Sequence, residues 1–151
     1  MAQTFDFTRL RKLTVIHGVV QFFLLVLLVG TSYVFIGKMP QGSFMNTIIL
    51  MVVIQLVLFY PIYKLGAADA KREVATAATG LSTDEINALR RKRIFSDILK
   101  GALIIFFFVF TLRAPGVPRV QFMILAAFLL SYLCYFQCFN FVAKQLMRGD
   151  R

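Results

Sequence analysis

One histidine and two cysteines are the side chains most able to bind a metal or a redox group. His17 is the only histidine among the 151 residues. In a membrane helix, haem ligation by two histidines would require a second chain to supply the other imidazole. A single histidine in such a helix more often donates a hydrogen bond to a neighbouring helix. We therefore interpret His17 as a structural residue and keep a redox role as an alternative.

The two cysteines, Cys134 and Cys138, lie four residues apart, so a helix places both on one face. Helix geometry holds such a pair poorly for a disulfide, and the C-x-x-C redox spacing is absent. Buried free cysteines usually behave as small hydrophobic residues. Common zinc sites use three or four protein ligands, so we predict neither a metal nor a cofactor.

Polar side chains also occur inside the apolar stretches, at similar distances from the basic residues that end those stretches. We expect them at a similar depth, in the cytoplasmic half of a membrane. Polar groups in hydrocarbon gain by pairing across helices, so one interpretation is a structural network. The other is a polar pocket, open to the cytoplasm, that binds a head group, an ion or a small ligand. The candidate cluster comprises His17, Gln21, Gln55, Gln137 and Asn140.

The sharpest form of this hypothesis is a contact between the first and fourth apolar stretches. We expect His17 or Gln21 to reach Gln137 or Asn140, directly or through one water. The reason is their matched depth and the cost of unpaired polar groups in lipid.

Sequence motifs of well-known enzyme classes are missing. The chain has no P-loop, Rossmann glycine pattern, nucleophile elbow or H-E-x-x-H motif. The apolar stretches carry no Asp or Glu in their central parts, where proton-coupled transporters need an ionisable group. A potassium-filter sequence is also absent. These observations favour a protein that is not an enzyme, although they leave enzymatic activity open.

Composition and hydropathy indicate how these residues are positioned. Hydrophobic residues make up 59% of the chain and charged residues 16%, against ~45–50% and ~25% in average soluble proteins. A spanning helix needs ~20 mostly apolar residues. We predict an all-α, polytopic integral membrane protein with a single domain over residues 1–151. Its four transmembrane helices lie at about 13–37, 47–65, 94–112 and 120–143.

The distribution of basic residues predicts the orientation of the four helices. Of the 17 Lys and Arg residues, 14 fall in the two tails and the long central loop, and the outer loops hold only Lys38, Arg113 and Arg119. Basic residues keep loops on the cytoplasmic side. Both termini and the central loop are therefore predicted to be cytoplasmic, in a bacterial inner membrane. The 14 residues are Arg9, Arg11, Lys12, Lys64, Lys71, Arg72, Arg90, Arg91, Lys92, Arg93, Lys100, Lys144, Arg148 and Arg151.

The net charge of +10 would suggest nucleic acid on a soluble domain. Here no basic cluster is interleaved with aromatic residues of the kind that stack on bases. We expect the basic residues to contact anionic lipid head groups instead.

The central segment, about 66–100, is predicted to form a cytoplasmic helical hairpin. Ser82 and Glu85 have the spacing of a capping box, and Gly80 stands where a helix C-terminal glycine belongs. The second helix should therefore reach about Thr79, and the third should start near Thr83 and continue into the membrane. The hairpin is either a solvated connector or a docking site for a partner protein or anionic lipid. The docking residues would be Arg90, Arg91, Lys92 and Arg93.

Three functions from different classes fit this sequence. The leading one is a non-enzymatic accessory, scaffold or assembly subunit, either homo-oligomeric or part of a larger membrane complex. The second is an oligomeric channel or passive transporter. The third is a membrane redox or enzyme subunit that uses His17.

Overall fold

The structure, a computed structural model, describes residues 5–113 and 116–149. Arg151, one of the basic residues of the C-terminal tail, lies outside this range. The described chain is helical, with the element order α1, α2, α3, α4. The helices extend over Thr8–Ile36, Gln41–Thr76, Thr83–Arg113 and Pro118–Gly149.

All four helices are long and apolar enough to cross a membrane, as the sequence predicts. Each is longer than its predicted span because the apolar count leaves out the polar turns at the helix ends. α2 has 36 residues, or about 54 Å at 1.5 Å per residue, whereas the hydrocarbon core of a bilayer is ~30 Å thick. The end of α2 that follows its apolar part therefore projects well beyond such a core.

The fourth helix is the centre of the bundle. We compared how much of the most apolar stretch of each helix is buried inside the structure. The buried share is 28% for α4, 6% for α1, 6% for α2 and 0% for α3. α4 packs along most of α2 and α1, while α3 contacts α2 and α4 over a much shorter stretch. α3 is therefore the most loosely packed helix of the described chain.

The close crossing of α2 and α4 depends on Gly66. A Cβ at this position would lie 3.2 Å from Cys138 Cβ, from the backbone nitrogen of Phe139 and from the carbonyl oxygen of Tyr135. Two of these three atoms belong to the α4 backbone, which cannot rotate aside as a side chain can. Only glycine lets the two helix backbones approach this closely without displacement.

Two apolar clusters hold the bundle together at opposite ends. One joins the beginning of α1 to the ends of α2 and α4, and Phe139 is its largest buried side chain, 2% exposed. The other joins the end of α1, the beginning of α2 and the beginning of α4. In the second cluster the Phe122 ring lies 5.6 Å from that of Phe35 and 5.4 Å from that of Phe44.

The turn between α2 and α3 begins earlier than predicted. α2 ends at Thr76, three residues before the predicted end near Thr79, so Gly80 lies within the turn and does not directly follow the helix. Gly80 has a φ of +89°, which glycine adopts without strain. Opposite the turn, the Asp6 backbone N–H donates to the carbonyl oxygen of Ala77 at 2.9 Å. The segment before α1 is thereby attached to the end of α2.

The capping box that starts α3 is formed as predicted. The Ser82 backbone N–H donates to Glu85 Oε2 at 2.9 Å, and the Glu85 backbone N–H donates to Ser82 Oγ at 3.3 Å. The Ser82 hydroxyl also donates to Glu85 Oε2, at 2.9 Å. The two hydrogen bonds that the carboxylate accepts, the one from the Ser82 backbone first, hold the pKa of the Glu85 carboxyl below its ordinary value. The ionised Glu85 carboxylate therefore contributes fully to the stability of the cap above the ordinary glutamate pKa. This contribution is lost as the pH falls through the lowered pKa of Glu85.

Replacing the capping hydroxyl tests the start of α3. Ser82→Ala is expected to cost about 0.5–2 kcal/mol of local stability, the usual loss for an N-cap. Amide hydrogen exchange should accelerate in the first turns of α3 and stay unchanged in α4. The control is Thr83→Ala, which leaves the Ser82–Glu85 hydrogen bonds in place. Equal acceleration in both variants would contradict a specific role for the Ser82 hydroxyl.

Candidate functional site

The predicted contact between the first and fourth helices is present. Gln21 Nε2 on α1 donates to Gln137 Oε1 on α4 at 3.0 Å. His17, one turn before Gln21, packs its ring between those of Phe136 and Phe139, each with a centroid distance of 4.7 Å. The imidazole is thus enclosed by aromatic rings of α4.

The remaining polar candidates lie along α4 without joining into one network. Gln55 Nε2 on α2 donates to Cys134 Sγ at 3.3 Å. Asn140 is beside His17, yet Asn140 Oδ1, His17 Nδ1 and Gln55 Oε1 are buried with no hydrogen-bond partner among the described residues. Cys134 and Cys138 are free thiols. The structure therefore divides the five candidates into a Gln21–Gln137 pair, a His17–Asn140 neighbourhood and a separate Gln55.

The densest polar site is one that the sequence analysis did not single out. It is centred on the Asp69 carboxylate of α2, whose side chain is only 11% exposed. Tyr135 Oη on α4 donates to Asp69 Oδ2 at 2.6 Å. On α3, Lys100 Nζ lies 2.6 Å from the same oxygen, and Ser96 Oγ donates to Oδ1 at 3.0 Å. A single carboxylate therefore connects three helices.

A second layer of ion pairs surrounds this carboxylate. Arg72 on α2 donates to Asp69 Oδ1 at 3.0 Å and also to the carbonyl oxygen of Lys92 on α3 at 3.2 Å. Arg93 Nε on α3 lies 3.2 Å from Glu73 Oε1 on α2 and 3.9 Å from Asp97 Oδ2. Together the two layers form the Asp69 network, which comprises Asp69, Arg72, Glu73, Arg93, Ser96, Asp97, Lys100 and Tyr135.

The Asp69 network contains three carboxylates and three basic groups, so its charges balance. The Asp69 carboxylate accepts hydrogen bonds at both of its oxygens. A buried ion is tolerated when it is paired and its hydrogen-bonding capacity is filled. In this arrangement every charge already has an opposite charge beside it. The network is therefore suited to bracing α3 against α2 and α4, and it presents no free acid or base for proton transfer.

The network places the polar side of α3 towards the other helices. Ser96 and Lys100 face α2 and α4, while Phe95 is 71% exposed and Ile98 is 64% exposed. This is the reverse of the arrangement in water-soluble bundles, where the apolar side of a helix faces the core. A helix with its apolar side outwards fits a surrounding of lipid.

Two cavities adjoin the network on opposite sides. The first, of about 120 Å³, lies between α2, α3 and α4 and is lined mainly by apolar side chains, including Leu65, Leu103 and Phe107. The second, of about 90 Å³, is polar and reaches α1 at His17. Asp69, Ser96, Lys100 and Tyr135 line both, so these residues separate an apolar space from a polar one.

The basic residues of the hairpin do not form a single surface. Arg90, Arg91 and Lys92 are exposed, whereas Arg93 is half-buried and turned towards Glu73. The exposed part of the candidate docking surface is thus limited to residues 90–92, about two turns into α3 and next to the paired Arg93. We call these three residues the basic tip.

Among the residues that the structure describes, no group of His, Cys, Asp or Glu side chains is arranged to hold a metal ion. Compared with protein-family models, curated proteins and solved structures, the chain matches none of them.

Proposed function

We propose that the chain is a multi-pass integral membrane protein of a bacterial inner membrane, with both termini and the α2–α3 hairpin in the cytoplasm. Four helices of spanning length support this placement. So do the outward-facing apolar side chains of α3, which would be unfavourable in water. The orientation follows from the excess of basic residues in the tails and central loop.

Reporter fusions test this topology. A fusion after Gly80, in the hairpin turn, should give a cytoplasmic signal, and a fusion after Gly116, in the turn before α4, should give the opposite one. The expectation follows from the 14 to 3 division of basic residues between the two sides. Identical signals from the two fusions would refute the four-span arrangement.

Within that membrane, the function we propose is a non-enzymatic accessory, scaffold or assembly subunit that docks through the hairpin. One observation carries this proposal: the Asp69 network braces the two arms of the hairpin against each other, while the side chains of the basic tip, residues 90–92, stay exposed. Glu73 and Arg93 form a direct pair between the two arms. Arg72 adds a hydrogen bond to the Lys92 carbonyl. A braced arm loses little conformational entropy on binding, which favours recognition.

The pairing of the ionisable groups in the Asp69 network also favours a binding role over catalysis. Catalytic acids and bases are held ready to exchange a proton with a substrate. Here Asp69, Glu73 and Asp97 each lie within ion-pair distance of a basic side chain. The basic tip differs from the Asp69 network because its side chains are exposed. They can contact an acidic side chain of another protein or an anionic lipid head group.

A charge-neutralising variant tests docking by the tip. In the triple variant Arg90→Gln, Arg91→Gln, Lys92→Gln, we expect the chain to leave its larger assembly and migrate at its own size in a native gel after mild detergent extraction. The reason is that the tip supplies the electrostatic complementarity for the partner. The matched control removes three exposed cytoplasmic charges elsewhere, in the variant Arg11→Gln, Lys144→Gln, Arg148→Gln. Wild-type migration of the tip variant would refute docking by the tip.

A further inference from the structure

The polar cavity, of about 90 Å³, lies between α1 and α3. Within the described residues these two helices do not pack against each other, whereas α2 and α4 pack together and form the floor of the cavity. Asp97 and Arg93 line it on the α3 side, and their side chains are 61% and 35% exposed. The cavity therefore reaches the surface of the protein.

The lining of this cavity favours water as its content. Charged groups are costly to bury away from water, and a cavity needs only about 10–15 Å³ to hold one water molecule that has polar partners. A volume of about 90 Å³ therefore has room for several water molecules. The charged lining groups are Asp69, Arg72 and Glu73 on α2 and Arg93, Asp97 and Lys100 on α3, beside the Tyr135 hydroxyl of α4.

His17 lines the α1 side of the cavity. Its Nδ1 is buried without a hydrogen-bond partner among the described residues. Beside it lies Asn140, which is 9% exposed and whose Oδ1 is buried and equally unpartnered. A neutral imidazole has one N–H, whereas a protonated one donates from both nitrogens. The protonated ring can thus give one N–H to Asn140 Oδ1 and the other to water in the cavity.

We propose that the polar cavity is a water-filled inlet from the cytoplasm and that His17 is a proton-binding site at its inner end. The proton comes from bulk water, adds to the neutral imidazole and returns by the same route, so no other reactant is needed. The six charged groups of the lining balance, so the added positive charge meets no excess of like charge. This inference rests on the membrane placement proposed above, because that placement makes the inlet cytoplasmic.

Deuterium exchange of the carbon-bound Hε1 of the imidazole tests the inference, because this reaction requires a protonated ring and a hydroxide ion from water. His17 is the only histidine of the chain, so mass spectrometry follows a single site. The full chain is reconstituted into phosphatidylethanolamine–phosphatidylglycerol vesicles in heavy water. The matched control is the double variant His17→Gln, Val19→His. It moves the imidazole about 3 Å along α1 to the outer side, where Val19 is 54% exposed.

We expect His17 to exchange at least about tenfold faster than the introduced histidine, because lipid tails disfavour a charged side chain by more than this factor. Asn140→Leu should slow the exchange of His17 severalfold, because it removes the acceptor for the protonated ring. Leu13→Phe should slow it as well, since Leu13 lines the inlet one turn before His17 and a larger side chain there displaces water.

Two results would overturn the inference and leave the membrane placement intact. One is exchange of His17 as slow as that of the introduced histidine. The other is unchanged exchange in both Asn140→Leu and Leu13→Phe, since neither the acceptor nor the cavity would then matter. Equally fast exchange at both positions, at the rate of an exposed peptide histidine, would instead refute the membrane placement itself.

Discussion

Asp69→Asn is expected to lower the free energy of unfolding by about 3–5 kcal/mol, the usual cost of breaking a buried ion pair by removing one partner. The amide has the same shape as the carboxylate but no charge. It would leave Lys100 Nζ, now 2.6 Å from Asp69 Oδ2, without its nearest anion. Tyr135 Oη would face a group that no longer accepts as strongly.

The matched control is Asp97→Asn, the same substitution at an exposed carboxylate of the same network. Asp97 lies 3.6 Å from Lys100 and 3.9 Å from Arg93, and an exposed pair of this kind contributes only about 0–1 kcal/mol. Thermal unfolding in a single detergent, followed by circular dichroism, measures both variants. The packing of α3 depends on the network, so Asp69→Asn should accelerate amide hydrogen exchange in α3 more than in α4. Equal destabilisation by the two variants would disprove the central role of Asp69.

Phe139→Ala is expected to be comparably damaging, at about 3–5 kcal/mol, because it opens a cavity in a close-packed cluster. Phe139 is 2% exposed and contacts the cluster formed with Leu10, Val74 and Val142. Its ring also supports the His17 imidazole at 4.7 Å. Leu10 and Val74 lie outside the predicted spans, so the cluster is at an end of the bundle beyond the apolar stretches, where burial from water still contributes to stability.

Phe141→Ala is the control for this prediction. It removes the same side chain two residues along α4, at a position that is 64% exposed, and surface substitutions usually change stability by less than ~0.5 kcal/mol. The same detergent unfolding assay compares the two. If Phe139→Ala unfolded at the temperature of Phe141→Ala, the cluster would not be the main packing contact of α1 with α4.

The helices and the start of α3 were predictable because their signals are local. Apolar runs of spanning length correspond to α1 through α4, and the Ser82–Glu85 pair forms the capping box that its spacing indicates. The predicted end of α2, near Thr79, is three residues too late, because the prediction assigns Gly80 to the helix C-terminus. Gly80 has its positive φ within the turn instead. The position of a glycine in the sequence does not show whether it ends a helix or lies inside the turn that follows.

The Asp69 network was missed because it joins residues up to 66 positions apart. Asp69 belongs to the segment 66–100, for which the sequence predicts a solvated connector or a docking hairpin and not a buried ion pair. A signal did exist. Asp69 and Glu73 on one arm, and Ser96 and Lys100 on the other, each have the four-residue spacing that puts them on one helix face. Pairing those two faces across the hairpin would have indicated the site.

The division of charge between the two arms also bears on how the chain would enter the membrane proposed above during synthesis. The acids Asp69 and Glu73 belong to α2, which leaves the ribosome first, and their partners Arg93 and Lys100 belong to α3, which follows. An isolated basic residue within a membrane helix opposes insertion by up to ~2.5–3.5 kcal/mol. In the membrane placement proposed above, α3 would meet its counter-charges already in place on α2. The order of translation would then lower the barrier to inserting the end of α3 that carries Lys100.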